Sequence, residues 1–342
     1  MSSRHTSIIT EIAEAPEAVR RQPQHLIPPL QMLVERCRRT PPRVVVTCAR
    51  GSSAHAATFG KHLIERHLGI PVAPAAPNIA SVYRRRLHLN DQLFLTISQS
   101  GRSDDLIEFT TMARAEGALT ACIVNDLTSP LAEVSEIVLP MNAGPELSIA
   151  ATKSFVATLA ALLRLTALWA NDDALSRALE RLPDRLVAAG KIDWKSALGV
   201  LSQASNLVTI GRGPTLAIAR EAALKLKEVC DLQAEPFSSA EFQHGPMALV
   251  TAHYPVLLFM STDEAGASLR ELAADLRQKH AVLLMPDTLP DHGPLSGMMP
   301  DHPDADAVCL IQSFYGFAVQ LAERRGVGHE HPRHLQKVTR TR

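Results

Sequence analysis

The chain has 342 residues, 46% hydrophobic and 20% charged, enough for one large domain or two ordinary ones with buried cores. Lysine plus arginine and aspartate plus glutamate both number 35, so no overall field draws the chain to nucleic acid or an anionic membrane, and any anionic ligand must be held locally. The five cysteines, Cys37, Cys48, Cys122, Cys230 and Cys309, show no CxxC spacing and cannot all pair, the pattern of reduced intracellular thiols.

The amino-terminal residues include Arg4, His5, Glu11 and Glu14 without a long apolar stretch, so a cytoplasmic location is expected. Residues 7–38 read as amphipathic helices broken at Pro23, Pro28 and Pro29. Apolar runs at 43–48, 92–97, 119–124 and 136–140 then alternate with helical patterns at 54–67 and 103–116, which predicts an α/β, doubly wound sheet. Arg164 interrupts the apolar stretch Phe155 to Trp169, so a long helix over 150–170 is expected without a membrane span.

Polar residues 171–193 separate this region from a second series that begins at Asn206. Val45–Ser53 (VVTCARGSS) aligns with Leu207–Thr215 (LVTIGRGPT), with Arg50 over Arg212 and Gly51 over Gly213. Pro255–Ser261 takes the place of Leu93–Gln99. Residues 285–304 read as a surface loop, and the irregular spacing of His280, His292 and His302 favours solvation over metal binding.

Ser98, Gln99, Ser100 and Gly101 lie between an apolar run and a helix start at Ser103. Free N–H groups at a helix start, two small hydroxyls and a glycine that admits close backbone approach suit an anion with several acceptor oxygens. A plain strand-to-helix turn draws on the same residues. A second hydroxyl-rich loop, Arg50, Gly51, Ser52 and Ser53, is expected on the same sheet edge, so the two can converge on one phosphorylated ligand. The second copy carries Ser261, Thr262 and Asp263 instead, and a carboxylate repels phosphate.

On the helix expected over 217–229, Glu221, Lys225 and Glu228 share one face. They form either a solvent-facing ion-pair ladder or a site in which Glu228 moves a proton and Lys225 or Lys227 tunes it. His244, before Gly245 and Pro246, is either a bystander or a side chain placed on a turn for acid–base work. Lys337, near the end, reads by default as part of a frayed cationic tail.

Five ordered blocks join these residues: Ser98–Ser103 (SQSGRS), Ala150–Phe155 (AATKSF), Leu224–Glu228 (LKLKE), Glu241–Pro246 (EFQHGP) and Pro332–Lys337 (PRHLQK). From about residue 30 to the end, the chain resembles the sugar isomerase, or SIS, family. It is similar to the isomerase half of the glucosamine-6-phosphate synthases, and more so to the stand-alone SIS-type glucosamine-6-phosphate deaminases, which share RGSS at Arg50–Ser53, SSAEF at Ser238–Phe242 and a tail like Lys337–Thr341. Ser2 stands where the synthases' glutaminase half has its cysteine, which favours a deaminase over ammonia delivery from glutamine.

The resemblance implies two tandem SIS domains, each a mostly parallel sheet flanked by helices in a three-layer αβα sandwich. The expected organisation is amino-terminal helices over 1–40, a first domain over 41–170, a linker or helix over 171–195, a second domain over 196–325, and a tail over 326–342 that covers the active site. It implies Ser52, Ser98, Gln99, Ser100 and Ser103 around a sugar phosphate, with Ser53 close by. Glu228 would carry the proton between C2 and C1, assisted by Lys225, and Lys337 would lie near the open-chain carbonyl. His244 would open the sugar ring from the partner subunit of a homodimer. No metal or cofactor is implied. Ala151 stands where the synthases have a serine, so one hydroxyl contact to the sugar is lost, and Arg102 replaces an acidic residue of the synthase loop. The expected reaction converts glucosamine 6-phosphate and water to fructose 6-phosphate and ammonia. The alternatives are a deglycase or aldose–ketose isomerase on another amino-sugar or ketosamine phosphate, or a non-catalytic sugar-phosphate sensor.

Overall fold

The computed structural model describes residues 7–287, 295–296, 298–328, 330 and 332–337. The expectations on Ser2, Arg4, His5 and His292, on part of the 285–304 loop, and on the tail beyond Lys337 lie outside the described residues. The chain divides into two compact units. The first holds Glu17–Glu146, Lys153–Leu179 and the end from Gln336, and the second holds the residues up to Pro16, Leu147–Thr152 and Glu180–Leu335.

Helices α1 (Ile8–Arg21) and α2 (Pro23–Arg39) come first. The chain breaks at Pro23 as expected, but Pro28 and Pro29 do not break α2. Pro23 opens α2 at a position that has no hydrogen bond to lose. Pro28 and Pro29 sit inside α2, and the carbonyls they leave without a helical donor belong to Gln24 and His25, both exposed to solvent. Pro16 lies within α1, where the freed carbonyl of Ile12 accepts Nε2 of Gln312 at 3.0 Å instead.

The first unit then runs β1 (Val45–Ala49), α3 (Gly51–Leu68), β2 (Val72–Pro74), α4 (Asn78–Ser81), β3 (Leu93–Ser98), α5 (Asp104–Ala115), β4 (Leu119–Val124), α6 (Pro130–Val134), β5 (Ile137–Pro140) and α7 (Lys153–Ala170). Its five strands are all parallel, in the order β2-β1-β3-β4-β5. Every residue of β3 is buried, as a central parallel strand covered on both faces requires. Phe94 on β3 meets Phe109 on α5 at 5.1 Å between ring centres, and burying each such ring contributes roughly 1.5–3 kcal/mol.

Helices α8 (Asp173–Ala189) and α9 (Lys195–Gln203) occupy the polar stretch and its continuation. Leu175, Ala178, Leu179, Leu182 and Leu186 form the buried stripe of α8. The second series follows as β6 (Asn206–Gly211), α10 (Thr215–Cys230), β7 (Gln233–Ser238), α11 (Ser239–Gln243), a 3-10 turn (Pro246–Leu249), β8 (Pro255–Leu258), α12 (Ala265–Gln278), β9 (Val282–Leu284), β10 (Pro286–Asp287), β11 (Leu295–Ser296) and α13 (Pro303–Arg324). Among the described residues, strands β10 and β11 pair with each other, while the main sheet is parallel in the order β7-β6-β8-β9. It repeats the β2-β1-β3-β4 order of the first sheet, so the alignment of β1 with β6 extends to topology. The fold is α/β, with two mostly parallel sheets flanked by helices.

Helices α7 and α13 are long and apolar enough to cross a membrane by length and composition, but 89% of the apolar stretch of each is buried inside the protein, as in core helices. All five cysteines are buried and unpaired, and burial pushes the Cys37 and Cys48 thiols up to about 12.

Candidate active site

Strands β1 and β3 are neighbours, with Ala49 opposite Ile97, so the loops Arg50–Ser53 and Gln99–Ser103 leave the same carboxyl edge side by side. Each leads straight into a helix, and neither Arg50 before α3 nor Ser103 before α5 caps its helix with its own side chain. Two helix amino termini thus face one edge, where the positive end of each helix favours an anion. Ser98 Oγ accepts the amide of Gly101 at 3.1 Å and Ser100 Oγ accepts that of Arg102 at 3.3 Å, bracing the turn while each hydroxyl keeps its proton to donate. Ser52, Ser53, Gln99, Ser100 and Ser103 are part-exposed and Ser98 is buried.

Gly101 is fixed by conformation and by space. Its φ is +63°, and a Cβ there would stand 2.1 Å from Ser129 Oγ and 2.6 Å from Ser129 Cβ. Two arginines flank the loops. Arg50 donates from Nε and Nη2 to Asp105 Oδ2 at 3.0 and 2.7 Å, and Arg102 donates from Nη2 to Asp126 Oδ2 at 2.8 Å. Hydrogen bonds from Thr128 and then Arg102 hold the Asp126 carboxyl below the usual range.

A chain of hydrogen bonds runs along this edge. Asn125, just past β4, donates its amide to Gln99 O at 3.2 Å, accepts from Ala143 N at 3.0 Å and donates from Nδ2 to Gly144 O at 2.8 Å. Lys153 Nζ reaches Pro145 O at 2.7 Å, and the buried Glu146 carboxylate accepts from Ser154 N at 3.0 Å and Ser154 Oγ at 2.5 Å. Lys337 Nζ sits 3.2 Å from Glu146 Oε2, so the lysine read as a frayed tail is tied to the loops of the first sheet. No motif marks Asn125 or Glu146; each is a single polar residue past a strand.

In the second unit, the ladder on α10 is buried rather than solvent-facing. Lys225 is 1% exposed and lies 3.4 Å from Glu221, itself fully buried, while its Nζ also donates to Glu228 Oε2. Two carboxylates around one ammonium satisfy charges that would be costly to bury alone. Tyr315 OH donates to Glu221 at 3.4 Å. The Glu228 side chain keeps 21% of its surface open, which leaves its carboxylate able to meet a substrate. Lys227 donates instead to Ala234 O at 3.2 Å, so Lys225 is the lysine held to Glu228.

His244 follows α11 on an exposed turn, its amide bonded to Glu241 O at 3.0 Å. Ala151 is part-buried in Leu147–Thr152, the stretch that clusters with the second unit. The Glu11 carboxylate, fully buried on the same face of α1 as Ile8, Ile12 and Ala15, accepts the amides of Leu147 and Ser148. A charged residue on an apolar helix face was the one sign of this role. The serines, Gln99 and Lys337 therefore fall in the first unit, and Lys225, Glu228, His244 and Ala151 in the second.

The loop after β8 corresponds to the serine loop after β3. Here Asp263 Oδ1 accepts from Ser261 Oγ at 2.6 Å and from Ala265 N at 3.0 Å, so the chain's own carboxylate covers the start of α12. A cleft of about 420 Å³ in the first unit, lined by Arg36, Gln92, Arg114 and Glu136 among others, lies at the amino ends of β3 and β4 and is a separate feature. Among the described residues, no group of three or more His, Cys, Asp or Glu could hold a metal ion.

The SIS domain family model matches residues 41–168 and 200–285. The chain is 32% identical over 327 residues to the isomerizing glutamine–fructose-6-phosphate aminotransferase of Treponema pallidum, covering 86% of this chain and 50% of that one. It spans half the length or less of the first curated relatives it matches. A solved structure from Silicibacter pomeroyi, assigned to the phosphosugar isomerases, is 41% identical with a TM-score of 0.87, covering 94% of this chain and 99% of that one. The glucosamine-6-phosphate deaminase of Thermotoga maritima shares the fold at 22% identity and a TM-score of 0.70, covering 96% and 100%.

Proposed function

We propose, proceeding from the fact that this chain belongs to the SIS domain family, that it converts glucosamine 6-phosphate and water to fructose 6-phosphate and ammonia. The observation that carries this reading is Glu228, a part-exposed carboxylate anchored by the buried Lys225. The phosphate lies among Ser52, Ser53, Ser98, Gln99, Ser100 and Ser103, where hydroxyls and helix-start amides donate to its oxygens. Holding the phosphate end leaves the reacting end of the sugar to be positioned by the remaining groups.

His244, supplied by the partner subunit of a homodimer, assists ring opening to the free aldehyde. The proton on C2 is then acidic, because the carbanion it leaves is delocalised into the C1 carbonyl. Glu228 takes that proton and returns it to C1 while a second proton passes from the amino nitrogen to O1, which makes C1 an alcohol carbon and C2 an imine. Water adds to the imine carbon and ammonia departs, leaving the ketone of fructose 6-phosphate. Lys337 lies near the open-chain carbonyl in this reading. The substrate's own carbonyl and imine serve as electron sinks, so the route calls for no metal or cofactor. Ala151 favours testing related amino-sugar phosphates alongside, since no hydroxyl stands there to select among sugars.

The test is to incubate the purified protein with glucosamine 6-phosphate. Equal yields of ammonia and fructose 6-phosphate are expected, and no ammonia release refutes the activity. Mixing Glu228→Gln with His244→Ala subunits should restore activity. Confirmed subunit exchange without recovery argues against a shared site.

A further inference from the structure

A buried carboxylate is an awkward neighbour for a phosphate. Asp105 is the second residue of α5, its side chain has no exposed surface, and it sits in the helix turn whose amides the serine loop offers to an anion. Asp105 Oδ1 accepts the amide of Leu106 at 2.9 Å. Oδ2 takes both Nε and Nη2 of Arg50, at 3.0 and 2.7 Å. Arg50 immediately precedes α3 in the neighbouring loop, so its side chain crosses from one hydroxyl-rich loop to the first turn of the other. In the second unit, Arg212 aligns with Arg50 but donates to Ser239 Oγ at 3.4 Å, and the nearby Asp263 carboxylate is bound within its own loop.

We infer that Arg50 is a positioning residue for the phosphate site: it is the counter-ion that neutralises Asp105 and fixes the spacing of the two loops. The inference rests on the proposed function, which puts the phosphate in this cradle. With the pair intact, the charge of the buried carboxylate is offset while the neighbouring Asp104 is exposed to solvent, and the positive helix start favours the phosphate. Without the guanidinium, that offset is lost and the dianion faces a buried carboxylate that water screens poorly. This role differs from that of a direct ligand, because the damage from losing Arg50 is undone by removing the charge it neutralises.

The experiment is calorimetric titration of the full chain with inorganic phosphate, and of the same set of variants carrying Glu228→Gln, which blocks turnover, with glucosamine 6-phosphate. Arg50→Met keeps the apolar stem and is expected to raise Kd about tenfold or more. Asp105→Asn alone leaves an uncompensated cation and is expected to bind at least as tightly as wild type. Arg50→Met/Asp105→Asn is expected to return to within about threefold of wild type, a recovery that a simple loss of structure does not produce. Arg50→Lys, which keeps the charge, should bind far better than Arg50→Met.

A double variant as weak as Arg50→Met makes Arg50 a direct ligand and overturns the inference. So does an unchanged Kd in Arg50→Met. Should Arg50→Met fail to fold, Asp105→Asn still decides, because weaker binding there contradicts the counter-ion role. Binding of neither anion with Arg50 and Asp105 intact overturns the proposed function together with this inference; binding there without recovery in the double variant overturns the inference alone.

Discussion

The loops after β3 and β8 leave equivalent strands of two sheets with the same strand order, yet they solve the same electrostatic problem differently. After β3, Ser98 and Ser100 brace a turn around Gly101, and the start of α5 has no cap from Ser103. After β8, the Asp263 carboxylate accepts the amide of Ala265 and covers the start of α12. A helix amino terminus must meet negative charge or water. In the second copy the Asp263 carboxylate takes the first amide of α12, whereas in the first copy the Asp105 carboxylate takes the Leu106 amide deeper in the turn and is itself paired with Arg50, which under the proposed function leaves the loop face to a ligand. The two sheets share a strand order, while the loops at their edges differ.

The largest expected effect separates binding from chemistry. Glu228→Gln should lower kcat by about a thousandfold or more while the Kd for inorganic phosphate stays within about twofold, because the substitution leaves every hydroxyl of the serine loops in place. Normal turnover removes Glu228 from the mechanism. Next comes the turn itself. Gly101→Ala combines a left-handed backbone with a clash on Ser129 and should cost about 3 kcal/mol or more of unfolding free energy in a urea titration. Gly51→Ala, also at positive φ but with nothing within 4 Å of the new Cβ, should cost only about 1 kcal/mol. Equal losses at the two positions contradict the close-contact account of Gly101.

A smaller effect tests the divergence of the copies. Ser98→Ala/Ser100→Ala removes two donors and should weaken phosphate binding by about 2 kcal/mol, read as roughly a thirtyfold rise in Kd. Asp263→Asn in the other copy weakens a helix start and should lower stability by about 1 kcal/mol at most, with sugar-phosphate affinity unchanged. Thermal melting and titration of the same samples read both quantities.

Much of this was legible from local pattern. The apolar runs gave β1, β3, β4, β5, β6 and β8, and Ser98–Ser103 and the Glu221–Lys225–Glu228 face stood out. Strands β2 and β7 did not, because each is a sheet edge that includes a proline, Pro74 and Pro236, and needs no long apolar run. Pro28 and Pro29 suggested a break in α2 that solvent-facing carbonyls make unnecessary. The ties through Asn125, Glu146 and Glu11, and the Arg50–Asp105 pair across 55 residues, depend on tertiary folding and leave no local spacing to read.

The most direct test of the account is calorimetric titration of Glu228→Gln protein, which can bind without turning over, with glucosamine 6-phosphate. One binding event per chain is predicted, strongly weakened by adding Ser98→Ala/Ser100→Ala and unchanged by adding Asp263→Asn. Affinity that survives the first change and is lost with the second contradicts the assignment of the phosphate to the first sheet.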